Sequence, residues 1–198
     1  REGGGWGCMN ELSPANYRDV TTLHSSFQSL GAFTGSAVNL VGAGEPLRLD
    51  AMRVTPEVLP VLGVAPFIGR VFDTAGTGDA DAGSVVVGYD LWRSQLDGDT
   101  RVLGKTLRLD GSPYVVIGVM PPEFRFPDDG VDLWLPLVLR EDDFANRQNT
   151  YLQTVGRLKP GVSFEQARMD LAALFTHLAR DYPETNAETG FSFFRQRD

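Results

Sequence analysis

Three kinds of residue in this chain of 198 residues have the chemistry for a site, and their spacing decides what each can do. Asp79, Asp81 and Gly83, in the loop "DTAGTGDADAG", look like the start of a calcium loop. An EF-hand loop needs its glycine sixth and a glutamate twelfth, and counting from Asp79 puts Gly83 fifth and Asp90 twelfth. The spacing fails, so a solvated acidic loop is expected. His24 and His177 lie far apart, each on a predicted helix, with no cysteine or further histidine at zinc spacing. The expectation is a boundary face for His24 and a solvated face for His177. Ser36 and Ser84 belong to no Gly-x-Ser-x-Gly elbow and have no histidine near them in sequence. "GAGEPL" is too short for a phosphate loop and lacks the Lys-Ser or Lys-Thr pair. Asp128 with Asp129, and Asp142 with Asp143, fall in polar stretches where solvated carboxylates are the rule, although distant carboxylates can still converge into a glycosidase site. The residues therefore predict no catalytic site, no cofactor and no metal, and they single out no partner-binding residue.

Composition narrows the partners. Lys and Arg number 18 against 26 Asp and Glu, a formal charge of -8 with no basic cluster. A phosphate backbone or an anionic lipid surface needs a positive footprint, so neither is expected. Hydrophobic residues make up 42 % and aromatics 10 %, enough for a packed core. Cys8 is the single cysteine, which excludes an internal disulfide and leaves the redox compartment open. No apolar run approaches the roughly 20 residues that span a bilayer, and no signal peptide opens the chain. The start at Arg1 without Met and the strand-like "FSFFRQRD" at the other end read as a piece cut from a longer protein.

The elements that must position these residues follow from pattern. Ser13-Pro14 opens a helix, with Tyr17, Val20, Leu23 or His24, and Phe27 at helical spacing, ending near Leu30-Gly31. Gly31 to Val41 and "EPLRLDAMRV" form a hairpin, and Thr55-Pro56-Glu57 caps a short helix that Gly63 ends. Ser84 to Val87 is a strand, Tyr89 to Leu96 a helix, and Asp97-Gly98-Asp99 a turn. "GKTLRLDGSPYVVIGVMPPEFRFP" is a second hairpin, with a turn longer than the Asp110-Gly111 pair and Phe124 and Phe126 in a further extended piece. Val131 to Val138 is an edge strand because of Pro136, and "REDDFANRQNT" a loop or single helical turn. Trp92, Trp134, Phe72, Phe124 and Phe126 are expected to pack the middle block. Tyr151 to Leu158 is a strand, Lys159-Pro160-Gly161 a turn, and Ser163 with Gln166 a capping box for a helix reaching about Arg180. Its apolar stripe is Phe164, Ala167, Leu171, Leu174 or Phe175, Leu178 and Tyr182, and Pro183 stops it. Helix followed by strand at both ends of the chain predicts a split α+β unit with the middle block inserted. The boundaries expected are 1–64 and 151–198 for the two halves and 65–150 for the insert.

"NLVGAGEPLRLDAMRVTPEVLPVLGVAPFIGRVF" (Asn39 to Phe72), "VVVGYDLWRSQLDGDTRVLGKTLRLDGSPYVVIGVMPPEFRFP" (Val85 to Pro127) and "VGRLKPGVSFEQARMDLAALFTHLARDYPETNA" (Val155 to Ala187) resemble, in order and spacing, the MacB-like periplasmic core domain of MacB/FtsX-like ABC transporter permeases. The wording is similar to the duplicated permeases of acidobacteria. The resemblance implies an extracytoplasmic domain between the first and second membrane helices of an inner-membrane permease. Its fold would have two lobes: a porter-like lobe of paired helix and strand units, and an inserted mixed α/β lobe. It implies no chemistry in the domain, with ATP hydrolysed by a separate cytoplasmic ATPase. The partners implied are the permease's own membrane helices, a periplasmic adaptor protein and a symmetry mate, in efflux or other substrate handling outside the membrane. "REGGGWGCMNEL" departs from the family pattern, lacking the look of a first strand. The alternative from the residues themselves is a secreted carbohydrate-binding or carbohydrate-active protein, which needs convergent carboxylates and exposed aromatics.

Overall fold

The computed structural model describes residues 6–42, 45–75, 81–187 and 192–195. The fold is α+β, and the chain divides into two compact units, one of residues 1–33 with 139–198 and one of residues 34–138.

The discontinuous unit begins with β1 (Trp6–Leu12), α1 (Pro14–Leu23) and the first half of β2 (Phe27–Val41). It is completed by β9 (Leu152–Leu158), α4 (Phe164–Asp181), α5 (Pro183–Asn186) and β10 (Phe193–Arg195). The strand order is β10-β1-β9-β2, with every neighbour antiparallel. Each βαβ half is thus split by a strand of the other, an interleaving that helix-then-strand at both chain ends does not by itself specify. Ser13 caps α1 by accepting the Asn16 N–H at 3.2 Å, and Ser163 and Gln166 cap α4 reciprocally, as the capping-box spacing requires. Ala167, Leu171, Leu174, Phe175 and Leu178 form the buried stripe of α4. Phe193 of β10 stacks on Phe164 at 4.3 Å and meets Phe27 edge-on at 5.8 Å.

Two expectations change here, the end of α1 and the form of the chain before it. α1 stops at Leu23, because Phe27 and Leu30 are taken by the sheet: Phe27 opposes Leu158 and Leu30 opposes Gly156. "WGCMNEL" is a strand in spite of its composition, since β9 pairs with one edge and β10 with the other. Neighbours on both sides override weak local propensity. Within the extended run expected at the C-terminal end, Phe193–Arg195 is a strand, and residues 188–191 and 196–198 lie outside the described residues.

The continuous unit holds the second half of β2, β3 (Leu47–Val54), α2 (Val58–Leu62), β4 (Ile68–Gly69), β5 (Ser84–Val87), α3 (Tyr89–Gln95), β6 (Thr106–Leu109), β7 (Ser112–Val119) and β8 (Leu133–Pro136). Its pairings close on themselves. β2 neighbours β3, β3 runs parallel to β8, and β8 is antiparallel to β5. β5 is parallel to β7, β7 antiparallel to β6, and β6 returns to β2 through Leu40 opposite Leu109 and Val41 opposite Arg108. The result is a closed ring of six strands. Closure removes the open edges of a sheet and requires alternate residues to point inward. Leu49 and Ala51, Val85 and Val87, Leu107 and Leu109, and Leu133 and Leu135 supply that face and share one core with Leu91 and Trp92 of α3.

The predicted division at 65 and 150 differs from the division of the compact units at 34 and 138. The cause is pairing: β3 takes β8 as its neighbour and Leu40 and Val41 take β6, so the second half of β2 and β3 are built into the ring. β8 is not an edge strand, since β3 and β5 flank it and all its residues are buried. Pro136 is tolerated because the Leu137 N–H supplies the bond to the Val54 carbonyl at 2.7 Å, while β5 pairs only with Leu133 and Trp134. The β6–β7 turn is two residues long, with Leu109 opposite Ser112 and positive φ at Asp110 (49°) and Gly111 (83°), the pattern of a type I′ turn. Phe124 and Phe126 sit in irregular chain, not an extended strand.

Gly35, inside β2, is exposed, and a Cβ built there meets nothing within 4 Å. Its φ is not in the left-handed region, so glycine brings only chain entropy. Gly35→Ala is expected to raise stability by about 0.5 kcal/mol, read from the urea midpoint at unchanged m-value.

Candidate functional site

The residues whose types suggested chemistry are used locally by the fold. Asp79 lies outside the described residues. Asp81 is a loop staple: its carboxylate accepts from Arg70 at 2.8 and 3.2 Å, from the Asp73 N–H at 2.8 Å and from the Ser84 hydroxyl at 3.3 Å. The Arg70 hydrogen bond, above all, holds this carboxyl below the usual aspartate range. Ser84 is thereby engaged with Asp81, and Ser36 stands on β2. His24 closes α1, with its ring edge-on to Phe27 at 5.4 Å and its Nδ1 accepting the Phe27 N–H at 3.4 Å. Burial first, then the Lys159 ammonium, lowers its pKa. His177 is exposed and faces Asp181 one turn on, at 3.3 Å. Asp142 and Asp143 belong to the 3-10 turn Glu141–Phe144, where Asp143 accepts the Arg140 N–H at 2.7 Å. Among the described residues, no group of three or more His, Cys, Asp or Glu is placed to hold a metal ion.

Asp128 and Asp129 do reach a common recess. It is about 50 Å³ in volume and is also lined by Asp90, Asp132, Arg125 and Tyr89. Ligand pockets are several times larger, on the order of 300 Å³ and up, and Arg125 is already paired with Asp129 at 3.1 Å. Trp92 and Trp134 are 3 % and 2 % exposed, so neither offers a ring to a sugar. Phe72, Phe124 and Phe126 are buried as well, Phe124 meeting Trp134 at 5.1 Å. This recess thus offers the carbohydrate reading neither an exposed tryptophan nor the room of a cleft.

Asp132 beside that recess joins two ring strands. Its carboxylate accepts the Asp50 N–H at 2.9 Å, its own N–H donates to the Asp50 carbonyl at 2.8 Å, and its carbonyl accepts the Gly88 N–H at 2.7 Å. Burial, with Asp50 and Asp90 adding repulsion, raises its pKa. A raised carboxyl binds its proton more readily in the folded state, so its penalty grows as pH rises through the interval above the unfolded carboxylate pKa. Asp132→Asn keeps an acceptor and removes the charge. The variant is expected to be more stable than the parent at pH 7, with the difference shrinking as pH falls toward about 4, the unfolded carboxylate value, in paired melts across pH.

The larger surface feature lies in the discontinuous unit. An open groove of about 600 Å³ runs between residues 144–148 and residues 181–185, with Phe144, Arg147, Tyr182 and Glu184 among its walls. A polar network fixes those walls. Arg147 donates to Asp19 at 2.6 Å and to the Asn16 side-chain carbonyl at 2.9 Å, and its guanidinium lies 3.6 Å from the Tyr182 ring centroid. Asn186 donates to the same Asn16 oxygen at 3.0 Å. Arg18 covers the Phe144 ring at 4.1 Å and reaches Glu141 at 3.4 Å. Sequence spacing could not show this network, because its members come from α1, the stretch from Glu141 to Arg147, Tyr182 at the end of α4, and α5. The one local signal is Asn16 itself, a polar residue in the buried first turn of α1. On the continuous unit, the exposed aromatic is Phe67, which leans on Tyr89 and Trp92 at 5.5 and 5.6 Å while 52 % of its surface stays open.

Neither surface carries a nucleophile with a base, and the meaning of the fold comes from its likeness to known proteins. A family model described as the MacB-like periplasmic core domain matches residues 4–174. The chain belongs to that family. Solved structures share the core domain's fold at low identity. The periplasmic region of MacB from Actinobacillus actinomycetemcomitans is 16 % identical, with a TM-score of 0.70 over 98 % of this chain and 89 % of that one. A domain of a permease protein from Porphyromonas gingivalis is 19 % identical, with a TM-score of 0.72 over 98 % and 90 %. The extracellular domain of the noncanonic ABC-type transporter YknZ from Gram-positive bacteria is 16 % identical, with a TM-score of 0.64 over 97 % and 100 %. No curated protein matches the sequence. As a MacB-like core domain of an ABC transporter permease, the chain has its place outside the cytoplasmic membrane, and no described helix is long and apolar enough to cross one.

Proposed function

We propose that this domain acts mechanically and performs no chemistry of its own. In this reading a separate cytoplasmic ATPase hydrolyses ATP, the permease's membrane helices relay the motion, and the core domain passes it to a periplasmic adaptor or a second copy. Substrate is then moved or expelled outside the membrane. The observation that carries the reading is the family match over residues 4–174. The local use of Asp81, Ser84 and both histidines supports it, as does a continuous unit closed into a ring, since motion is transmitted by bodies that do not deform. In this reading the interleaved sheet of the discontinuous unit serves as the porter-like lobe and the ring as the inserted lobe.

The test uses the full permease with its ATPase in native membranes. Replacing residues 14–187 by a flexible linker is expected to leave ATP hydrolysis and abolish transport. Transport that persists would overturn the mechanical role. A photo-crosslinking residue at Tyr182 or at Phe67 is expected to trap an adaptor or a second copy at one of the two positions. Adducts at neither position, in a permease that still transports, would remove the partner half of the proposal.

A further inference from the structure

We draw no further inference here: the strongest candidate, the open groove between the 144–148 loop and the turn from α4 into α5, is walled by exposed carboxylates and by an arginine already paired within the fold, and nothing in the structure shows what covers it.

Discussion

Gly118→Ala is expected to destabilise the domain by about 3 kcal/mol, the upper part of the range for overpacking, and to lower its melting temperature by about 6–12 °C at this chain length. β4 and β7 cross with Gly69 directly opposite Gly118. A Cβ on Gly118 would lie inside the van der Waals shell of the Arg70 carbonyl oxygen, with the Arg70 carbonyl carbon and nitrogen at 3.1 and 3.3 Å. All three are backbone atoms, so no rotamer change relieves the clash. Gly69 is constrained twice over: its Cβ would meet the Ile117 carbonyl oxygen, and its φ of 78° lies where side chains are strained. The double variant Gly69→Ala with Gly118→Ala should lose less than the sum of the singles, because either one already pushes β4 off β7. Denaturant unfolding checks this against Gly35→Ala, which carries the opposite sign. A loss below about 1 kcal/mol at Gly118, the size of an ordinary substitution, would mean that β4 is not held against β7.

Arg147→Met is expected to cost about 3 kcal/mol, the lower end of what breaking a buried ion pair costs. Only 14 % of the Arg147 side chain and 23 % of that of Asp19 are exposed, so the surviving carboxylate is poorly solvated. The Asn16 oxygen loses a donor at the same time, in a side chain sealed from solvent. Arg147→Lys should recover only part of this, since the shorter side chain ends in an ammonium with no plane to lay on Tyr182, although a single nitrogen of Arg147 serves both Asp19 and Asn16. A thermodynamic cycle with Asp19→Asn separates the parts. Strong coupling between the two positions is expected, and additive losses would place the stabilisation in the Tyr182 stacking instead.

What could be read in advance followed the range of the interactions involved. α4 was legible to the residue at its start because Ser163, Gln166 and an apolar stripe act within a few turns of one helix. The ring was not, because its closure rests on Leu40 meeting Leu109 and on β3 running parallel to β8, contacts that no local spacing encodes. The end of α1 was misplaced since Phe27 fits a helical stripe and a sheet core equally well. β1 was hidden for the opposite reason, its extended shape coming from neighbours and not from its own residues. At the candidate site the Arg147 network was not legible, since charge pairing across 128 positions leaves no mark on either segment.

The interleaving of β1 and β2 around β9 also sets an order of assembly. Within the domain β1, α1 and β2 leave the ribosome before the other elements, yet β1 and β2 are not neighbours, and the strand that fills the gap between them arrives more than a hundred residues later. The ring, by contrast, is drawn from one uninterrupted stretch of chain. Loop-closure entropy favours the shorter separations, so the ring can complete while the leading strands still wait. During that interval Phe27 and Leu30, whose partners stand on β9, remain without cover, and this is the stage at which the nascent chain is most exposed to misassembly.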